Sequence, residues 1–432
     1  MTFFASTYQW VTPTLHFAAV SQGARDGVGQ IVVKDDRFFL NAPGCFSAIS
    51  GHPSERTLQT VINSRPAVVR GCVTAVDGDL GLRIDELRLG SDDVDARYSV
   101  VNAAFEHLRS ACTYRFEDGA ARSPRQSFLL PAVDGASPME AKILDGGDSI
   151  SLTATQAVPL EEFEAQLAVF QALLTFAADM PCGRRTLLAN DATGRDVQIL
   201  GRTLYKPFEH RSRKPIEYSL RFTGEWLQEV INRWWLAYEE WQPVLQIIAG
   251  LRYRPGYVDA DIIVSSAAIE SVASTLQKYD DPRLTRDDAA PILQALASLI
   301  GMNAAQKAAI AQLKGDLGRT TFRSKVEQLI HQIDQEVWSA TRLSAAVWVR
   351  VLVKARNTIA HANSDALWED SALLRSVRDA NWIVLTLVLM HHLEIPDAAI
   401  EGSVAKIVKL EHAWRRLDGR NDDGFQVAPF PG

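Results

Sequence analysis

A chain of 432 residues, 47% hydrophobic and 22% charged, has the balance of a globular protein and enough length for two or three domains. Its formal net charge of −7 excludes a protein that coats nucleic acid over its whole surface, so any nucleic-acid site has to be a local patch. The four cysteines, Cys45, Cys72, Cys112 and Cys182, stand far apart without C-x-x-C spacing, which predicts reduced structural thiols and neither a metal site nor a cofactor.

The N-terminus, Met1-Thr2-Phe3-Phe4-Ala5, lacks the basic start and apolar stretch of a signal peptide. The most apolar run, 382–390, is much shorter than the about 20 residues a bilayer span takes. The expectation is a cytoplasmic protein without a membrane partner.

The first half reads as strands and turns. Ile31-Val32-Val33 and Phe38-Phe39-Leu40 flank Lys34-Asp35-Asp36-Arg37 as a hairpin. Residues 68–76 and 80–89 form two more strands around Asp77-Gly78, a strong hairpin signal because both residues accept positive φ. Short apolar runs at 128–130 and 150–152 continue the pattern. A β-sandwich or open barrel is expected over 1–222. Asp77-Gly78-Asp79 and Asp145-Gly146-Gly147-Asp148 lack calcium-loop spacing and read as turns.

At 160–180 the period changes to helical, with Phe163, Leu167, Phe170, Leu174 and Ala177 on one stripe; this helix is expected to pack on the sheet. Residues 184–204 return to strand character. From Thr223, a plausible N-cap, the chain reads as helical: a connector helix in 223–258 with Leu227, Val230, Ile231, Trp234 and Trp241, kinked or ended by Pro243. Further helices are expected at 261–279, 289–300, 304–313, 322–334, 343–361, 371–393 and 397–415, followed by a disordered tail over 417–432. The fold class is thus α+β in two domains, 1–222 and 223–416. No phosphate-binding glycine loop, dinucleotide fingerprint, H-E-x-x-H or G-x-S-x-G occurs.

The chemistry-bearing segment is Arg356-Asn357-Thr358-Ile359-Ala360-His361. It is the chain's only match to Arg followed by His after four to six residues, in itself a loose pattern. Val347, Val351, Ala355, Thr358 and Ala362 should line the buried face of its helix. At about 100° per residue, Arg356 and His361 then fall on opposite edges of that stripe, roughly 140° apart. They do not converge within one straight helix, so a frayed end or a second copy of the helix has to unite them. A histidine ordinarily titrates near 6.5 and can serve as base or acid. Arginine stays charged and offers a planar fork to phosphate. Asn357 adds a hydrogen-bonding group. Together they suit metal-free attack of an RNA 2′-hydroxyl on its own phosphodiester. A plain reading keeps His361 as a helix-end residue facing the dipole and Arg356 as a surface cation.

The segment 351–361 resembles the R-N-x-x-x-H signature of HEPN domains. The helix at 262–276, carrying Glu270, resembles the first helix of that family, and the likeness extends over about 259–414. A β-rich domain ahead of it resembles the layout of ApeA-like anti-phage proteins, in architecture only over 1–220. The resemblance implies a homodimeric, metal-independent RNase acting on RNA such as tRNA. Arg356 and His361 would be catalytic with Asn357 beside them, and a phage-derived activator or ligand would act on the first domain.

Glu270 either orients Arg356 or His361 or is a plain surface carboxylate. Lys206, Arg211, Arg213 and Lys214, with Lys206–Arg221 basic overall, and then Arg252 and Arg254, either guide RNA phosphates or form a solvated linker. Trp226, Trp234, Trp235 and Trp241 at helical spacing favour core packing over base stacking. His391-His392 reads as structural. Two readings compete with the nuclease: a non-catalytic HEPN module that binds RNA, nucleotide or a protein, and a ligand-sensing β-domain on a helical dimerisation platform.

Overall fold

The computed structural model describes residues 15–19, 27–34, 37–41, 55–62, 65–76, 79–109, 114–115, 121–122, 127–144, 147–201, 227–253, 257–276, 286–298, 303–308, 321–361, 370–395 and 400. Apart from residue 400, the expected helix at 397–415 lies outside them, as does the tail. The chain divides into two units, Met1–Glu239 and Glu240–Gly432.

In the first unit, β1 (Leu15–Ala19), β2 (Gly27–Lys34), β3 (Arg37–Asn41), β4 (Glu55–Ile62), β5 (Arg65–Val76) and β6 (Asp79–Leu89) pair in the order β6-β3-β2-β1-β4-β5. A further β5–β6 pairing closes these six strands into an antiparallel barrel. The expected hairpins are present in register, Lys34 opposite Arg37 and Val76 opposite Asp79. Closure removes the open edges that a sandwich or open barrel would retain.

Strand β6 serves both the barrel and the strands that continue the same sheet beyond it, and it carries a bulge. Arg70 pairs with Glu86 and Gly71 with Ile84, so Asp85 has no opposite residue. Side chains alternate along a strand, and one extra residue reverses the parity. Leu82 and Ile84 before the bulge and Leu87 and Leu89 after it therefore join the same buried cluster as Ile31, Leu40, Leu58, Ala67 and Val69. Glycine is required at 71, where a Cβ would lie 2.0 Å from the Arg83 carbonyl oxygen.

Beyond the bulge, β6 pairs with β14 (Asp196–Gly201), and the sheet continues through β13 (Arg184–Asp191), β7 (Tyr98–Phe105), β12 (Ser149–Val158) and β11 (Met139–Ile143) to β10 (Ser127–Leu130). The two-residue strands β8 (Tyr114–Arg115) and β9 (Ala121–Arg122) form a separate ribbon. The edge strand β10 is capped by Gln228, whose side-chain amide accepts from Leu129 N at 2.7 Å and donates to Leu129 O at 2.8 Å. That occupies backbone groups an edge otherwise offers to another strand. Where barrel and sheet meet, buried Arg88 donates to Glu86 at 2.6 Å and to the Val94 carbonyl at 3.3 Å.

One helix, α1 (Leu160–Ala178), buries the expected Phe163, Leu167, Phe170, Leu174 and Ala177. Phe170 lies 5.8 Å from Phe105 and 6.3 Å from Phe128, ring centre to ring centre, which fixes α1 against the sheet. The next helix, α2 (Leu227–Tyr253), begins in this unit. Trp234 Nε1 donates to the Val169 carbonyl at 3.2 Å, and Trp235 Nε1 to Gln166 Oε1 at 2.9 Å. Both indoles are buried, as the packing reading expects; Trp226 lies outside the described residues. The division between the two units falls inside α2, at Glu239/Glu240. Pro243 kinks the helix without ending it: Trp241 takes φ −123° and ψ 25°, and the helix runs on to Tyr253.

Among the described residues, the regular elements of the second unit are all helices. It holds α3 (Val258–Leu276), α4 (Arg286–Ala297), α5 (Phe322–Ile330), α6 (Gln335–Ala340), α7 (Ala345–Ala360) and α8 (Ser371–His392), and α3 packs against α5, α7 and α8. The helix expected over 322–334 ends early, and Asp334 starts α6. Its carboxylate accepts from Glu336 N at 2.7 Å and Val337 N at 3.2 Å, an N-cap and not a helix end. Every residue from Ala380 to Met390 of α8 is buried, the pattern of a helix enclosed by its neighbours. Among the described residues, no helix is long and apolar enough to cross a membrane.

The β13–β14 turn supplies a stability prediction. Burial pushes the Asp191 carboxyl up, but hydrogen bonds outweigh it and hold it at about 2. Thr193 Oγ1 donates at 2.6 Å, Thr193 N and Arg195 N at 2.9 Å, and Arg195 Nε at 2.8 Å. An unfolded Asp titrates near 3.9, so this contribution is full above about pH 4 and is lost as pH falls toward 2. Asp191→Ala is expected to lose about 1–2 kcal/mol at pH 7. Urea melts should show the gap to the unmutated protein closing between pH 4 and pH 2.

Candidate active site

The rotation of α7 decides where its C-terminal turn points. Ser344 caps its start by accepting from Val347 N at 3.4 Å. The buried face consists of Trp348, Val349, Val351, Leu352, Ala355 and Thr358. Compared with the expected stripe, Trp348 and Leu352 take the centre, Val347 is only half-buried and Ala362 lies outside the described residues. The bulky indole displaces the stripe because its N–H finds a buried acceptor. Trp348 Nε1 donates to Asn381 Oδ1 at 3.0 Å, and Asn381 Nδ2 donates to Ser265 Oγ at 2.9 Å. Ser265 Oγ then donates to the Ile262 carbonyl at 3.1 Å. These side chains are buried, and the chain of bonds links α7, α8 and α3. An unmade bond in such a network is costly, so it locks the rotation of α7.

With α7 held this way, Arg356 leans toward α3 and α5. Its Nη2 donates to Glu270 Oε2 at 3.0 Å. Its guanidinium carbon lies over the Phe322 ring, 4.4 Å from the centre. The other carboxylate oxygen of Glu270 meets Lys325 Nζ at 3.4 Å. The side chains of Arg356, Glu270 and Lys325 keep 34%, 33% and 20% of their surface exposed, so solvent and solutes reach this cluster. Phe322 and Lys325 were not legible as site residues. Their signal is helical: they are three apart on α5 and share a face.

His361 caps the C-terminus of α7, its backbone N–H donating to the Asn357 carbonyl at 3.0 Å. Both Asn357 and His361 are exposed. Four residues apart on the helix, they are neighbours on its outer surface. The site residues therefore fall into two groups: Arg356 with Glu270, Lys325 and Phe322, and His361 with Asn357 on the side away from the core.

Other candidates lie elsewhere. Lys206, Arg211, Arg213, Lys214 and Arg254 are outside the described residues. Arg252 is half-buried, its guanidinium 3.5 Å from the centre of the Trp382 ring, a packed cation–π contact. Trp241 is buried and stacks on His392 at 4.1 Å. Burial lowers the His392 imidazole below its ordinary range, against the opposing pull of Glu240 at 3.7 Å. Cys182 is buried, its thiol donating to the Leu174 carbonyl at 3.6 Å, and burial pushes that thiol up. Among the described residues, no group of three or more His, Cys, Asp or Glu could hold a metal ion.

Comparison with protein-family models, with curated proteins and with solved structures gives no match to this chain.

Proposed function

We propose that this protein is an endoribonuclease of the HEPN type, whose site is built from Arg356, His361 and Asn357. The supporting observation is the state of Arg356. It is oriented by a carboxylate and an aromatic ring, yet a third of its side chain remains open to an incoming phosphate. His361 stands exposed one and a half turns along the same helix. In the proposed reaction the imidazole takes the proton of a 2′-hydroxyl. The O2′–P bond forms as the P–O5′ bond breaks, a proton from solvent water passes to the departing O5′, and the imidazolium later returns its proton to solvent. The guanidinium holds the negative charge that builds on the phosphoryl oxygens.

The separation of Arg356 from His361 around α7 favours a homodimer in which two copies of the helix complete the site. By the resemblance to ApeA-like proteins, we further propose a defence effector that cleaves tRNA or other cellular RNA, restrained by the β-rich unit until a phage-derived signal arrives.

If side chains do this chemistry, EDTA should leave cleavage of total RNA unchanged, and the products should end in 2′,3′-cyclic phosphates. Activity abolished by EDTA and restored by magnesium rejects the mechanism.

One observation favours a second reading. The Arg356–Glu270 pair joins α7 to α3, as a purely structural cation would. A non-catalytic module that binds RNA, nucleotide or protein would use it only so. RNA cleavage by the unmutated protein no faster than by Arg356→Ala and His361→Ala would decide for that reading.

A further inference from the structure

Lys325 takes no part in the reading so far, and its surroundings give it one. The Glu270 carboxylate lies between two cations, 3.0 Å from Arg356 Nη2 and 3.4 Å from Lys325 Nζ. Two positive charges on one carboxylate leave a local excess of one. A contact of 3.4 Å is longer than a well-formed N–H···O bond, so the ammonium is steered by Glu270 without being saturated by it. Lysine carries three donors on a rotatable stem, which leaves capacity for a second acceptor.

The backbone fixes how the two cations are disposed. Phe322 and Lys325 stand one turn apart on α5. The Phe322 ring covers one face of the Arg356 guanidinium. The same helix face thus positions the arginine through its ring and sets an ammonium beside it. Among the described residues Arg356 has no other hydrogen-bond acceptor than Glu270, so donors remain for an anion.

We propose that Lys325 is a second phosphate-binding cation of this site, set beside Arg356 by the shared carboxylate of Glu270, so that a phosphodiester is met by two cations. This rests on the reading of Arg356 as a phosphate-binding group. In it, Glu270 is a positioning residue and Lys325 touches the substrate.

The test separates binding from chemistry. Affinity for a fluorescent oligonucleotide with 2′-deoxyriboses, which binds without being cut, is measured as a function of salt. Single-turnover cleavage of the matching RNA and thermal melting accompany it. Lys325→Gln and Lys325→Met should each fold and lower the salt slope by about 0.7, the loss of one phosphate contact on a single strand. Cleavage should slow at least about tenfold, the weak end of what one lost hydrogen bond to a charged group costs. Lys325→Arg should retain the slope. Unchanged slope and rate in both neutral variants, beside an active unmutated protein, overturn the inference and leave the nuclease reading standing. No cleavage by the unmutated protein, with slopes that fall in Lys325→Gln and in Arg356→Gln, upholds the two-cation site and rejects the nuclease.

Discussion

Arg356→Lys is expected to cleave RNA nearly as slowly as Arg356→Ala, with both roughly a hundred- to a thousand-fold below the unmutated protein, the effect of losing about 2.7–4 kcal/mol from one transition-state contact. Lysine keeps the charge but not the planar fork. In the folded protein one arm of that fork is committed to Glu270 and the flat face to Phe322. A phosphate can be held only by the remaining donors, which an ammonium does not reproduce in the same place. Stability should change little. Both partners of the ion pair are about a third exposed, where such pairs contribute about 0–1 kcal/mol, and an exposed cation–π contact adds about 0.5–1 kcal/mol. Single-turnover rates and melting curves of the two variants decide the point. Full activity in Arg356→Ala removes Arg356 from the reaction, and a collapse of folding in both variants assigns it to structure.

Local turn chemistry and periodicity were legible in the sequence. Asp77-Gly78 marked the β5–β6 connection, and the stripe from Phe163 to Ala177 marked α1 with its buried side. Long-range pairing was not legible. Barrel closure depends on β5 and β6 pairing along their whole length and on one bulged residue, Asp85, that lets Leu82 and Leu87 face the same core. Nothing in the composition of β6 announces that parity change. Strands β1, β4, β7 and β11 carry no clear sequence signal because each is short or mixes polar and apolar residues, and the register of its neighbours is what places it.

The same distinction holds in the helical unit. The edge position of Arg356 follows from helix geometry alone. Its partners come from α3 and α5, remote in sequence, and only packing unites them. Buried polar side chains are the least legible class. Gln166, Ser265 and Asn381 are polar residue types with no sequence signal of burial, yet each is buried and bonded to partners from other elements. Asp334 is ambiguous for a local reason: an acidic residue after an apolar run can close one helix or cap the next, and its side-chain oxygen takes the second role.

Mixing two inactive variants should restore RNA cleavage if the site is shared between copies. Arg356 and His361 point to different sides of α7, about 140° apart on an ideal helix, so a symmetric pair of α7 helices can bring one copy's arginine to the other copy's histidine. In that arrangement Arg356→Ala and His361→Ala each damage both sites of their own homodimer. A mixed dimer carries one site with both substitutions and one site with neither. Random exchange at equal amounts makes about half the dimers mixed, each with one of two sites intact, so activity should recover to about a quarter of the unmutated level. Against the hundred- to thousand-fold losses expected of single variants, that recovery is large. The variants are mixed, exchanged under mild denaturant, refolded and assayed beside each variant treated alone. Light scattering establishes the dimer before and after exchange. A dimer that exchanges fully and gains no activity places Arg356 and His361 of one copy in the same site, and a fully active monomer removes the shared site altogether.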